Sequence, residues 1–304
     1  MSLPSLDALI ATGHPVVACA REWARDLLAA YPLAGFVPMR GRLRADRAAV
    51  HNARREARHR HAYGLLMPDS LSSALVFRFA GLRCAGYRDD GRSPLLRWPC
   101  SKPREPLHAV QSWFHLTRFA LAQWRMAEPE ADLGPDLDWH SAIAHETQAE
   151  QAMAQAGLSH GHFVLIAPTA TGLHHGRAKV WSGFDGLTRS LQAQGVTVVM
   201  VPPPAEQAAA KATAPSAQLL EPLGLGAFAA FTRHAAVVVC NDSGVSHLAA
   251  AACARQITLF GVTSPSRTGP WSNRALRLGQ MNTWPREPEV LSAVLDTLQN
   301  PSAA

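Results

Sequence analysis

The apolar positions of the chain fall into two successive series. In the first, the short runs PVVACA (15–20), AGFVPM (34–39), YGLLMP (63–68) and CAGYR (84–88) alternate with helical stretches near 21–30, 46–60 and 70–80. In the second, HFVLIAP (162–168), VTVVMVP (196–202), AAVVVC (235–240) and QITLFG (256–261) are again separated by helices. Near-continuous apolar, β-branched runs are the mark of strands buried on both faces, and their alternation with helices predicts an α/β fold. We expect two doubly wound parallel-sheet domains, 1–138 and 139–304. The acid-, Pro- and Gly-rich segment EPEADLGPDLD (Glu128 to Asp138) reads as the connection, leading into a helix from about 139 to 156. Ligands of such sheets bind beyond the carboxyl ends of the strands, here in a cleft across which the two sheets would face each other.

The loops at those carboxyl ends carry the chemistry. CNDSGVSHLAA (240–250) runs from a buried strand into a helix of small residues, with Asp242 and Ser243 suited to cap the helix and Gly244 open to close approach. The free N–H groups of that first turn make an anion site. After HFVLIAP comes TATGLHHGRAKVW, with the hydroxyls of Thr169 and Thr171 and the cations Arg177 and Lys179. Glu206, after VTVVMVP, is an acceptor suited to sugar or ribose hydroxyls, and VTSPSRTGPW adds Arg267. Phosphate donors on one side and a hydroxyl acceptor on the other suit a nucleotide-sugar. Neither GxGxxG nor a Walker sequence is present.

Composition narrows the class. With 304 residues, 47% hydrophobic and 17% charged, the chain has the make-up of a globular enzyme or binding protein. No apolar run reaches the ~18 residues of a membrane span, so membrane association would be peripheral. VVAC and ACA near Cys19 resemble cleavage sites, but no Lys or Arg precedes them, and export is not expected. Five scattered cysteines without a CxxC pair argue against a disulfide framework or a zinc site and fit a reducing cytoplasm. The net charge of +6 lies mostly before residue 140, in a run of arginines with no interleaved aromatics and no nucleic-acid motif. A solvated helix face, an anionic substrate or an anionic lipid surface would each account for it.

NDSGVSHLAAA followed by LFGVTSPSRTGP, with the 169–181 loop and Glu206 upstream, closely resembles the family 9 glycosyltransferases, the lipopolysaccharide heptosyltransferases. LPSLDAL, PDSLSSALVFRFAG and YRDDGRSPLL resemble that family's N-terminal segments, most of all those of heptosyltransferase II members. The resemblance implies a GT-B architecture of two Rossmann-like domains, an acceptor-binding domain over 1–138 and a nucleotide-sugar-binding domain over 139–304, the last helix packing back on the first. It implies an inverting, metal-independent transfer of heptose from ADP-heptose to an anionic lipopolysaccharide core. The setting would be cytoplasmic, with peripheral contact at the inner membrane, no cofactor and no nucleic acid. By position, Asp242, Ser243, Gly244 and His247 would hold sugar and diphosphate, and Lys179 with Thr169 or Thr171 would neutralise the leaving group. Glu206 would bind ribose and Leu223 would lie near adenine.

One departure bears on catalysis. The family begins with a strand and a Gly-Asp turn whose aspartate is the expected base, whereas three residues precede Pro4 here. Asp69, after YGLLMP, is the substitute base candidate, with capping of the helix over 70–80 as its plainer role. Asp136-Leu137-Asp138 has the form of a metal-binding DxD, and capping of the next helix is its expected role. Two further readings stay open: a catalytically impaired nucleotide-sugar-binding protein truncated at its N-terminus, and a sugar-nucleotide epimerase.

Overall fold

The computed structural model describes residues 1–57, 62–129, 132–174 and 176–300. It divides into two compact units, Ser2–Gly134 and Pro135–Ala304. In the first, α1 (Leu3–Ala11), β1 (Val17–Ala20), α2 (Ala24–Leu27), β2 (Gly35–Pro38) and α3 (Leu43–Glu56) are followed by β3 (Tyr63–Leu66), α4 (Leu71–Phe79), β4 (Arg83–Tyr87), β5 (Trp98–Cys100) and α5 (Ala109–Trp124). All its strand pairs are parallel, but they form two sheets, β1-β2 and β3-β4-β5. Helices α3 and α4 cover them through Val37, Val50, Val76 and Ala80 and through Leu66, Ala74, Cys84 and Leu96. Helix α5 buries Leu116 against Tyr87 and Cys100, and Phe114 and Leu121 against Ala8 of α1.

The helix expected over 46–60 starts earlier, at Leu43, and residues 58–60 lie outside the described residues. Buried Asp46 draws the preceding turn inward: its two oxygens accept from the N–H groups of Arg40 and Gly41, each at 2.8 Å. The stretch near 21–30 keeps only the single turn α2. Strand β5 was not anticipated, because WPC is short and carries a proline, a residue confined to strand edges and ends.

The second unit runs α6 (Ile143–Gln155), β6 (Phe163–Ala167), the hairpin β7 (Leu173–His174) and β8 (Arg177–Ala178), α7 (Phe184–Gln192), β9 (Thr197–Met200), α8 (Gln207–Thr213) and β10 (Gln218–Leu219). It continues with α9 (Leu225–His234), β11 (Val237–Asn241), α10 (Gly244–Ala251), β12 (Gln256–Leu259), α11 (Pro265–Thr268), β13 (Ala275–Leu278) and α12 (Glu287–Gln299). One six-stranded parallel sheet has the order β10-β9-β6-β11-β12-β13. Every residue of β6 and β11 is buried, which is what their unbroken apolar runs require of central strands.

The expected connection ends sooner than the acidic run suggests. Leu137 and Trp139 are buried, Trp139 N–H donates to Ala251 O at 2.9 Å, and Cys253 Sγ lies 3.0 Å from Leu137 O. Asp136 does not cap a helix; its Oδ1 accepts from Ser272 Oγ at 2.6 Å and from Asn273 N–H at 2.8 Å. The next helix begins only at Ile143, behind His145, whose Nδ1 accepts from Ala142 N–H. The last helix, expected to pack back on the N-terminal domain, buries Val290 and Val294 in the core of the second unit with Phe184, Leu187 and Leu191.

Candidate functional site

Because β9, β6, β11 and β12 are adjacent and parallel, the segments that follow them share one edge of the sheet. They carry Glu206, Thr169 to Trp181, Asp242 to Gly244, and Thr263. Asp242 is 5% exposed. A carboxylate at that depth needs partners, and it has them: Thr263 Oγ1 donates to Oδ2 at 2.5 Å and Lys179 Nζ lies 3.9 Å from the same oxygen. Ser243 caps α10, its Oγ accepting from Val245 N–H at 3.3 Å. A Cβ added at Gly244 would meet nothing within 4 Å, so the space above this turn is open to a ligand. His247 is half-buried one turn further along α10.

Thr169 and Glu206, far apart in sequence, are hydrogen-bonded through Thr169 Oγ1 and Glu206 Oε2. Thr171 is exposed, and Leu223 is half-buried between β10 and α9. Arg177 donates to Asn282 Oδ1 at 2.5 Å, and Arg267 is exposed on α11. The structure therefore groups Lys179, Asp242, Ser243 and Gly244, places Thr169 with Glu206 at the neighbouring strand ends, and leaves Thr171 exposed to solvent.

The residue that organises this edge is Asn241, which carried no role in the sequence reading. It is fully buried at the end of β11; its Oδ1 accepts from Trp181 N–H at 2.9 Å, and its Nδ2 donates to Ala167 O at 3.4 Å and Thr169 O at 3.5 Å. Trp181 is tied a second time, its indole N–H donating to Pro285 O at 2.9 Å, and its ring meets Phe184 edge-on. The loop bearing Thr169 and Lys179 is thus fixed at both ends. The available signal was an asparagine closing an otherwise apolar strand, since a polar group buried there must be satisfied. Beside it, burial pushes the Cys240 thiol up to about 12, so it is a neutral packing group.

The first unit has its own polar cluster after β3 and β4. The Arg92 side chain is fully buried, with Nε donating to Tyr87 O and Nη1 to Pro68 O, both at 2.5 Å, and Nη2 lying 3.3 Å from Asp69 Oδ1. Burial lowers its pKa, opposed by Asp69, Asp89 and Asp90. Lys102 Nζ lies 2.6 Å from both Asp69 Oδ2 and Asp89 Oδ2, and these bonds raise its pKa. Both oxygens of Asp69 are therefore engaged by cations. Asp69 does not cap α4; Ser70 does, accepting from Ser73 N–H at 3.3 Å. Tyr87 donates its hydroxyl to Ser112 O at 2.5 Å, with His115 Nδ1 3.1 Å away.

Among the described residues no group of three or more His, Cys, Asp or Glu is arranged to hold a metal ion, and no helix is long and apolar enough to cross a membrane.

Comparison with known proteins places the fold and the family. The chain is 26% identical over 274 residues to lipopolysaccharide heptosyltransferase 2 of Escherichia coli K12, covering 84% of this chain and 76% of that one. The fold matches a family 9 glycosyltransferase of Veillonella parvula (TM-score 0.81, 15% identity, 98% and 93% of the two chains). It also matches E. coli heptosyltransferase WaaC with ADP (TM-score 0.71, 19% identity, 99% and 95%). The architecture is accordingly of the GT-B type, with two Rossmann-like domains. The model of glycosyltransferase family 9 (heptosyltransferase) matches residues 51–291, and the chain belongs to that family.

Proposed function

We propose that this glycosyltransferase moves heptose from ADP-heptose to the lipopolysaccharide inner core, with inversion and without a metal ion. In that reaction an acceptor hydroxyl attacks the anomeric carbon, the bond to the diphosphate oxygen breaks, ADP leaves, and the hydroxyl proton passes to a base. The observation that carries the reading is the buried Asp242, which holds Lys179 beside the amino end of α10. Lysine ammonium and helix N–H groups together offset the charge that grows on the leaving diphosphate. Glu206, oriented by Thr169, takes the ribose hydroxyls, Leu223 lies near adenine, and Ser243, Gly244 and His247 contact sugar and diphosphate, with Thr171 as a second hydroxyl donor. With a lipid-borne acceptor, the protein would work in the cytoplasm, peripherally at the inner membrane.

A second reading, nucleotide-sugar binding with slow transfer, is supported by Asp69. As base it would accept a proton at the expense of its pairs with Arg92 and Lys102. A positioned base contributes about 100-fold to 10,000-fold, so its absence would separate the two readings by rate.

Calorimetry with ADP and turnover of ADP-heptose on a lipopolysaccharide core acceptor, with the product anomer read by NMR and with chelator present, test both. Lys179→Ala should lower kcat by about 100-fold or more, well beyond its effect on ADP affinity. ADP binding unaffected by both Lys179→Ala and Asp242→Ala would overturn the site. Measured binding with negligible turnover would favour the second reading.

A further inference from the structure

The Lys179 ammonium is held only loosely by the carboxylate beside it. Its Nζ stands 3.9 Å from Asp242 Oδ2, beyond hydrogen-bond reach, and its side chain is 23% exposed. The position of that charge therefore depends on the backbone that carries it. On the carboxyl side the backbone is tied at Trp181, to Asn241 and to Pro285. On the amino side stands the hairpin of β7 and β8, where Gly176, Arg177 and Ala178 are exposed and a Cβ added at Gly172 or Gly176 would meet nothing within 4 Å. Among the described side chains, packing does not hold this side.

A hydrogen bond does. Arg177, two residues before Lys179, donates from Nη1 to Asn282 Oδ1 at 2.5 Å, across a sequence separation of 105 residues. The acceptor is itself anchored: Asn282 lies in a tight turn in which Gln280 and Thr283 exchange both backbone hydrogen bonds at 3.0 Å, and its own N–H donates to Gly261 O, also at 3.0 Å. Its φ of +69° is in the left-handed region, which asparagine enters more readily than most side chains. Gly261 follows β12 and comes two residues before Thr263, the donor to Asp242 Oδ2. Both members of the pair are thus referred to one strand end, Asp242 through Thr263 and Lys179 through Arg177, Asn282 and Gly261.

We propose that Arg177 is a positioning residue, whose clasp on Asn282 fixes the amino side of the Lys179 segment and so holds the ammonium where the leaving diphosphate gains charge. It acts through Lys179 and not on the substrate, and the inference rests on the donor-site reading above. A bond between exposed groups adds little to global stability. A small displacement of a group that acts in the transition state costs rate steeply. The clasp should therefore show in turnover and hardly at all in unfolding.

Transfer from ADP-heptose, ADP calorimetry and thermal unfolding of the full chain test this. Arg177→Ala should lower kcat about tenfold, with KM for ADP-heptose and the Kd of ADP within about twofold and Tm within about 2 °C. Asn282→Gly removes the acceptor and takes the positive φ without strain, so it should lose as much although Arg177 keeps its charge. Arg177→Lys, which keeps a cationic donor, should lose less. The Arg177→Ala, Asn282→Gly double variant should lose no more than either single one, and in a Lys179→Ala background neither change should cost anything further. Independently of turnover, the amides of residues 178–180 should exchange about tenfold faster in both single variants. Wild-type kcat in Arg177→Ala, a loss there with none in Asn282→Gly, or a loss that persists in the Lys179→Ala background would overturn the proposal. Unchanged exchange in both single variants would overturn it even where turnover is slow. Wild-type kcat in Lys179→Ala would overturn the donor-site reading, and this inference with it.

Discussion

Asn241 Oδ1 accepts the backbone N–H of Trp181 at 2.9 Å across a sequence separation of 60 residues. Lys179 is two residues from that anchor and Asp242 is one residue from Asn241, so this single bond sets the register of the cation against the carboxylate. Asn241→Leu removes the acceptor and leaves a buried N–H unpaired, at a cost of about 1–3 kcal/mol. For a unit of this size each kcal/mol should lower Tm by roughly 2–4 °C. A displacement of about 1 Å at Lys179 would reduce kcat about 100-fold. Asn241→Asp, which keeps the acceptor but faces two carbonyl oxygens, should fall between. Wild-type kcat in the leucine variant would show that the loop is held by Pro285 alone.

Much of the candidate site's local chemistry is legible in the sequence. The helix-start signature of DSG, the lysine in AKVW and the acid after VTVVMVP each belong to one local segment, and local segments carry strand-end chemistry in their sequence. What stayed hidden were partnerships between segments. Thr263 on Asp242, Asn241 on Trp181 and Asp136 on Ser272 depend on which strands become neighbours. The strands themselves were visible where apolar runs were long. They were missed at β5, β10 and β13, where the strands are short or carry exposed residues. Asp69 illustrates the limit: its position after β3 was readable, but its two cations come from residues 92 and 102.

Arg92 makes a prediction confined to the first unit. Its guanidinium joins the carbonyls of Pro68 and Tyr87 to Asp69 while wholly buried. Arg92→Met leaves the buried Tyr87 carbonyl without its side-chain donor and removes the bond to Pro68 O, while half-buried Asp69 keeps Lys102. Leaving a buried acceptor unpaired costs about 1–3 kcal/mol. Thermal unfolding should show an early transition, with ADP still protecting the later one. A single unshifted transition would show that the carbonyls find other donors.

Stability should also fall in mild acid. His234 meets His160 with its Nδ1 3.0 Å from the other Nδ1, under α6, near Glu146, Glu150 and Arg233. Burial, and secondarily His160, lowers the pKa of His234 despite Glu146 and Glu150; burial, with Arg118, lowers that of His115. A histidine depressed in the folded state takes up its proton more readily when unfolded. Its contribution is therefore full above the ordinary value of about 6.5 and is lost as pH falls through and below it. Tm should drop between about pH 7.5 and about pH 5.5, and His234→Phe should flatten the slope by up to about 1.4 kcal/mol per pH unit. An unchanged slope would assign the effect to His115.

The order of the six-stranded sheet has a consequence for how the protein comes into being. Strand β6 leaves the ribosome early, yet one of its two neighbours, β11, pairs Val164 with Val237 and is synthesised some 70 residues later. Until then β6 has an open, wholly apolar edge, and the nascent chain is at its most vulnerable to aggregation. The same pairing brings Thr169 and Asp242 onto one edge, so on the proposed reading nucleotide capture would begin only when the core has closed. ADP would then report completed folding, and at about 100 times its Kd it would stabilise the finished domain by about 2.7 kcal/mol.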